Sequence, residues 1–139
     1  MTKVPTDLKI LDMIYKRYYD NFHAHCSENK IRPSKIYVPI DINLIAKSLK
    51  VDEDIVFGRL YYHLNKKFRY KQEDGSSVEF FSLLVADIPN CINFPYLASV
   101  LADLKDKDEK YQTSTYIAFF SLFIALLSFV ISVVYTAPH

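Results

Sequence analysis

The first two thirds of the chain alternate between apolar and polar positions at short, regular intervals. Apolar residues recur every three or four positions over Leu8–Phe22, Ile42–Leu49 and Ile55–Phe68, which is the period of an amphipathic α-helix. An aspartate stands shortly before each segment, where its carboxylate is suited to accept a hydrogen bond from the first turn. The pattern therefore predicts three helices, whose N-caps are Asp7, Asp41 and Asp52.

Extended structure is predicted between and after these helices. Ile36–Ile40 is short, β-branched and aromatic, and its Pro39 restricts it to the edge of a sheet. Arg69–Gln72 and Val78–Val85 flank the polar, glycine-containing segment Glu73–Ser77, a pattern typical of a hairpin. The predicted fold class is therefore α+β.

The chain then changes character, because Tyr116–Tyr135 contains no charge, no Gly and no Pro. About 20 apolar residues in a helix span the roughly 30 Å hydrocarbon core of a bilayer, and terminal tyrosines suit its two interfaces. A buried core helix is the alternative, but the remaining chain is too short to surround one. Lys105, Lys107 and Lys110 precede the stretch and no Lys or Arg follows it. The positive-inside rule then predicts a single-pass protein of the cell membrane with a cytoplasmic N-terminal domain.

The small side chains of this stretch share one side of the predicted helix. Their spacing of three, four, three and four positions confines them to an arc of roughly 80°. Membrane helices associate where small residues let backbones approach, so the arc predicts a homo-oligomer or a contact with another membrane subunit. We call these residues the transmembrane seam: Ala118, Ser121, Ala125, Ser128 and Ser132.

The helical phase of the seam also continues backwards towards Pro95, with Asn93 suited to cap the helix start. One long helix is therefore expected to leave the soluble domain and enter the membrane. The predicted parts are a cytoplasmic domain (1–92), a juxtamembrane helical stalk (93–115), a transmembrane helix (116–135) and a short outer tail (136–139).

The order helix, strand, helix, turn, helix, hairpin, with the stretch IAKSLKVDEDIVFGRLYYHLNKKFRY at Ile45–Tyr70, resembles the winged helix-turn-helix superfamily. The resemblance rests on element order and apolar spacing. It implies that Ile42–Leu49 is the first helix of the helix-turn-helix, that Asp52–Arg69 is the recognition helix, and that Glu73–Ser77 is the wing tip. In that superfamily the recognition helix enters the DNA major groove, so DNA binding is one implied function.

Charge gives DNA binding limited support. The chain has 17 Lys plus Arg against 16 Asp plus Glu, which is not the basic balance of a dedicated nucleic-acid binder. The recognition helix begins with three acidic residues, and the wing tip contains Glu73 and Asp74. A basic and aromatic face remains, and it is predicted to contact either a protein or DNA. Its members are Arg59, Tyr62, Lys66, Arg69, Lys71, Lys47 and Lys50.

Signals for chemistry are weak. His23, His25 and Cys26 lie close in sequence, and His63 could join them, but no second ligand pair follows, so neither a metal nor another cofactor is predicted. No catalytic constellation stands out, and we expect no enzyme activity. The leading expectation is a membrane-tethered regulatory or adaptor protein that oligomerises through its tail and docks a protein or DNA partner. The alternative is an oligomeric membrane effector or small-pore subunit, with the winged helix as sensor and the serines lining the pore.

Overall fold

The structure, a computed structural model, describes residues 3–26 and 28–138. The chain divides into two compact units, the first ending at Ala102 and the second beginning at Asp103. The fold class is α+β, as predicted. In chain order the elements are α1 (Asp7–Ala24), β1 (Tyr37–Pro39), α2 (Ile42–Leu49), α3 (Glu53–Gly58), a π-helical segment (Arg59–Asn65), α4 (Lys66–Phe68), β2 (Tyr70–Lys71), β3 (Ser77–Val78), β4 (Phe81–Val85), β5 (Ile88–Asn93) and α5 (Phe94–Thr136).

Side-chain caps mark where the first three helices begin. Asp41 and Asp52 each accept a hydrogen bond from a backbone N–H of the following turn, as predicted. The prediction for α1 is wrong by one residue, because Thr6 is the cap and its Oγ1 accepts from the Lys9 N–H at 3.3 Å. Asp7 is instead the first residue of α1. Its carboxylate is therefore free of the capping role and available to another partner.

Three strands form an antiparallel sheet in the order β1, β5, β4. The first strand thus lies at an edge, as Pro39 predicts. β4 and β5 are joined by a two-residue turn at Ala86 and Asp87, with Ala86 at φ 52°. This hairpin was not predicted, because Ile88–Asn93 contains a proline and two asparagines, residues that are depleted in strands.

The predicted hairpin around Glu73–Ser77 is present as β2 and β3, which form a separate two-stranded sheet. The prediction of one strand over Val78–Val85 is wrong, since the structure splits this segment between β3 and β4. Asn65 explains the break: its Oδ1 accepts from the backbone N–H groups of Phe80 and Phe81 at 2.9 and 3.1 Å. These two donors bind the helix, and the chain bends between the two strands.

The helical stretch from Glu53 to Phe68 is continuous, and we call it the third helix. Its middle section, Arg59–Asn65, is π-helical. Because π-helical hydrogen bonds run from i to i+5, the rotation per residue is smaller than the 100° of an α-helix. The faces predicted from α-helical spacing therefore shift along this section. Three of the apolar positions predicted for the core are nevertheless fully buried or nearly so: Val56, Leu60 and Leu64.

The start of α5 forms one wall of the core of the first unit. The Phe94 ring stacks on Tyr15 and Phe22 of α1, with centroid distances of 5.4 and 4.8 Å. The Tyr96 hydroxyl donates to the carbonyl of Phe68 at 2.9 Å and so joins α5 to the end of the third helix. The core therefore lies between α1, α2, the third helix, the three-stranded sheet and the first turns of α5.

The second unit is the remainder of α5. α5 as a whole is capped at its start by Asn93, whose Oδ1 accepts from the Tyr96 N–H at 3.2 Å, and it continues to Thr136. All residues from 116 to 135 are exposed, and the most apolar window has a mean hydropathy of 2.8. Among the described residues, α5 is the one helix long and apolar enough to cross a membrane, judged by length and composition.

Candidate functional site

The first residue of the predicted contact face, Arg59, is already bound within the domain. Its Nε and Nη2 donate to Asp7 Oδ1 at 2.9 and 2.5 Å, and His63 Nε2 lies 3.4 Å from Asp7 Oδ2. The Arg59 and Asp7 side chains are 34% and 19% exposed. This ion pair joins the third helix to α1. Arg59 is therefore a structural residue and not a free cation.

Three other predicted residues, Tyr62, Lys66 and Arg69, do come together. With Tyr61 and Asn65 they line a small cavity of about 160 Å³. The Tyr62 side chain is prominent, with 69% of its surface exposed. Lys66 and Arg69 are also exposed, and neither forms an ion pair within the described part of the chain. This corner of the third helix is therefore aromatic and positively charged.

The remaining three predicted residues lie elsewhere. Lys47 is in the last turn of α2, and Lys50 is its C-cap in the left-handed conformation, with φ 57°. Lys71 is exposed on β2. None of the three lines the cavity next to Tyr62. The structure thus divides the predicted face into a clustered part and three separate lysines.

A larger cavity of about 390 Å³ shares residues with the small one and continues along β4. β4 is at the edge of its sheet, and two of its side chains, Leu83 and Leu84, are 44% and 60% exposed. We call the two cavities together the helix–strand groove. Its lining residues are Tyr61, Tyr62, Asn65, Lys66, Arg69, Glu79, Phe81, Ser82, Leu83 and Leu84.

The groove has a buried polar centre at Asn65. Its Nδ2 donates to Glu79 Oε2 at 2.7 Å, while Glu79 Oε1 accepts from the Ser77 hydroxyl at 3.1 Å. Both partners are uncharged, so Glu79 keeps its negative charge but forms no ion pair with the two cations of the groove, Lys66 and Arg69. The net charge of the groove lining is therefore +1. Sequence reasoning missed Asn65. The available signal was a polar residue at core spacing from Tyr61 and Phe68.

The other half of the third helix has the opposite charge. Asp52, Glu53 and Asp54 are exposed at its start, and Glu53 Oε2 accepts from the Asn43 side chain at 2.9 Å. With Arg59 bound to Asp7, the helix has no unpaired cation before Lys66. A phosphate backbone would therefore meet repulsion at this end.

The histidines and cysteines form a different environment. His25 is buried, and its burial, followed by the charges of Arg32, Lys35 and Lys30, lowers the pKa of its imidazole. Cys91 is also buried, and desolvation raises the pKa of its thiol, whereas Cys26 is exposed. No group of three His, Cys, Asp or Glu side chains is placed to hold a metal ion in residues 3–26 and 28–138.

In the transmembrane seam, two serines are bonded to their own helix. The hydroxyls of Ser121 and Ser128 donate to the carbonyl oxygens of Ile117 and Ile124, each at 2.9 Å. Such bonds satisfy the hydroxyl donors without a second helix. Ser121 and Ser128 therefore present small side chains whose hydroxyl donors already have acceptors.

Comparisons with known proteins add no relative to this picture. No family model, no curated protein and no solved structure matches the chain. Any function must therefore be argued from the groove and from α5.

Proposed function

We propose that this protein is a single-pass membrane protein that docks a protein partner at the cytoplasmic surface of the cell membrane. The observation that carries the proposal is α5, whose stretch from 116 to 135 is uncharged, exposed at every residue and long enough to span the hydrocarbon core. Soluble domains rarely expose so large an apolar surface to water. Lys105, Lys107 and Lys110 before the stretch favour a cytoplasmic first unit.

The first unit is proposed to be a winged-helix domain. Two features support this assignment: the order of α1, β1, α2 and the third helix, and the sheet in which β1 joins a hairpin that follows the third helix. The structural feature that differs from the sequence expectation is the additional β2–β3 hairpin, which carries Glu73–Ser77 but stays outside that sheet. The turn at Ala86 and Asp87 joins the two strands that pair within that sheet after the third helix, so it takes the position of the wing.

Charge favours a protein over DNA as the docked partner. Recognition helices read the major groove mainly with their N-terminal residues, and here that end carries Asp52, Glu53 and Asp54. Arg59, the nearest cation, is neutralised by Asp7. The exposed aromatic and apolar side chains of the helix–strand groove are instead typical of a protein contact.

Self-association through the transmembrane seam is the second part of the proposal. Ala118 and Ala125 share the seam with Ser121 and Ser128, whose hydroxyls are bonded within the helix, so two seams can pack closely there without leaving these two donors unpaired. The same bonds weigh against the pore alternative, because Ser121 and Ser128 offer a pore lumen fewer free donors.

Membrane extraction tests the anchor. The full chain, reconstituted into phosphatidylcholine vesicles, is expected to stay with the vesicles after an alkaline carbonate wash. Protease added outside is expected to remove the first unit of outward-facing molecules and leave a protected fragment that includes 116–135. Release by carbonate, or complete digestion, would show that α5 does not span the bilayer and would overturn the proposal.

The choice of partner class is tested with the same full chain in detergent. We expect no shift of random duplex DNA at low salt, and no change on replacing Lys66 and Arg69 with Ala. Salt-sensitive DNA binding that those replacements abolish would show that the domain reads nucleic acid.

The seam is tested by replacing Ser121, Ala125 and Ser128 with Leu, which is expected to dissociate the oligomer. The matched control enlarges the opposite side of the helix with Val130→Leu and Val134→Leu. An oligomer that survives the first set, or that both sets disrupt equally, contradicts a seam-specific contact.

A further inference from the structure

We infer that the helix–strand groove accepts an acidic, extended segment of a partner protein as an additional strand alongside β4. This inference rests on the proposed docking function and names the chemistry of the docked partner. It requires three properties of the groove: an unpaired strand edge, a cleft beside that edge, and a charge that selects the occupant.

The outer edge of β4 is available for pairing. The Asn93 N–H donates to the Phe80 carbonyl at 3.0 Å, so the backbone N–H and C=O of Phe80 point towards β5. Backbone groups of successive strand residues point in alternate directions. The backbone N–H and C=O of Phe81 therefore point away from β5, and the N–H donates to Asn65 Oδ1 of the third helix. Two residues further on, the N–H and C=O of Leu83 face outwards as well.

The third helix covers only the beginning of this edge. Asn65 occupies the outward donor at Phe81, and beyond that point the cleft of about 390 Å³ opens along Ser82, Leu83 and Leu84. An unpaired strand edge with exposed leucines is a template for pairing with another chain. The third helix forms the other wall of the cleft. An extended chain that pairs with β4 would lie about 4.7–4.9 Å from it, the usual distance between neighbouring strands.

Charge selects an acidic occupant. Lys66 and Arg69 stand on the helix side of the cleft without ion pairs in the described part of the chain. Glu79 is the one acidic residue of the lining, and its two oxygens accept hydrogen bonds from Asn65 and Ser77, so the lining keeps a net charge of +1 with both cations unpaired. A second copy of this chain would bring another Arg69 and Lys66 towards the same rim. Like charges across an interface are unfavourable, so an acidic partner is preferred over self-pairing.

A half-buried tyrosine, an exposed tyrosine and two leucines give the added strand an apolar contact surface. Tyr61 and Tyr62 lie edge to face, with ring centroids 5.1 Å apart, and Leu84 is on the opposite wall. An extended segment alternates its side chains between two faces. Acidic residues at every second position would therefore all face one way, towards the helix wall that carries Arg69, and the β-branched residues between them would lie on the other face.

The test uses the full chain in detergent and a fluorescent eight-residue peptide of alternating Glu and Val with blocked ends. Binding is expected to depend on the peptide backbone with a period of two: N-methylation at every second amide weakens it at least tenfold in one register and less than twofold in the other. Loss of binding in both registers, or in neither, would overturn strand addition.

Two pairs of variants test the edge and the charge. Leu83→Pro removes an outward donor and is expected to abolish binding, whereas Leu83→Val preserves it; near-UV circular dichroism checks that both remain folded. Arg69→Glu is expected to weaken the Glu–Val peptide about tenfold or more and to strengthen a Lys–Val peptide. Lys50→Glu, with the same charge change outside the groove, is expected to alter neither by more than about twofold.

The outcomes also separate this inference from the proposed function. Failure of every peptide, with α5 still resisting carbonate extraction, overturns the strand-addition site and leaves the membrane anchor intact. Disulfide cross-linking between two copies carrying Leu83→Cys, in competition with the peptide, would instead identify a second copy as the occupant and overturn the acidic partner.

Discussion

Asn65 is predicted to be the residue on which the join between the third helix and β4 depends most. It is 5% exposed, and it makes hydrogen bonds to the N–H groups of Phe80 and Phe81 and to the carboxylate of Glu79. Asn65→Leu keeps the branching of the side chain, with larger methyl groups in place of the amide, and removes all three bonds. Each of the two N–H groups left without an acceptor costs about 1–3 kcal/mol, so we expect a loss of about 2–6 kcal/mol in the free energy of unfolding.

The assay is urea unfolding of the full chain in detergent micelles. The chain has no Trp, and eight of its 11 Tyr lie in the first unit, so the tyrosine signal in near-UV circular dichroism reports mainly the packing of that unit. Amide hydrogen exchange provides a local measurement, since the N–H groups of Phe80 and Phe81 should exchange much faster in Asn65→Leu than in the wild-type protein.

Glu79→Gln is the matched control. It retains an oxygen for the Asn65 Nδ2 and leaves the bonds to Phe80 and Phe81 in place, so we expect a loss below about 1 kcal/mol. If Asn65→Leu costs no more than Glu79→Gln, or if the two amides remain protected, the buried amide does not hold the helix to the strand. The account of the broken strand would then be refuted.

Three further predictions address other parts of the first unit. Burial and nearby cations lower the pKa of His25 from 6.5, so the unfolded state binds a proton more readily than the folded state. The free energy of unfolding, measured with urea, should therefore decrease as the pH falls below about 6.5. If the same decrease with pH persists in His25→Gln, the effect belongs to other groups. Arg59→Gln and Asp7→Asn should each cost about 1 kcal/mol or less, given partial exposure of the pair, and the double variant should cost no more than the larger single one; additive losses would mean that the two side chains are not coupled. Cys26 should react with a maleimide within minutes, while Cys91 should react only on unfolding, because its thiol is buried and its pKa is raised; equal rates in the folded protein would contradict the packing of β5.

Local pattern was a good guide to the helices and a poor guide to the strands. Asp41 and Asp52 cap the helices that they precede, because capping depends on a few neighbouring residues. β5 was not predicted because its proline and two asparagines have low strand propensity. Pairing with β1 and β4 holds this segment in the sheet. For the candidate site, Tyr62, Lys66 and Arg69 line one cavity, as expected for residues that follow one another along a single helix; their role as a contact site stays a prediction.

The sequence by itself determined where α5 begins, how far it extends and which part is apolar, because these properties depend on residues close together in the chain. Only the tertiary structure decided which of the predicted contact residues are bound within the domain and which remain unpaired. Arg59 is bound by Asp7, 52 positions away, and the Phe81 donor is bound by Asn65, 16 positions away. Both contacts arise when separate elements pack and buried polar groups must find partners, a requirement that periodicity along one element does not encode. The groove beside β4 is a result of that packing, and so is the positive charge left on its rim.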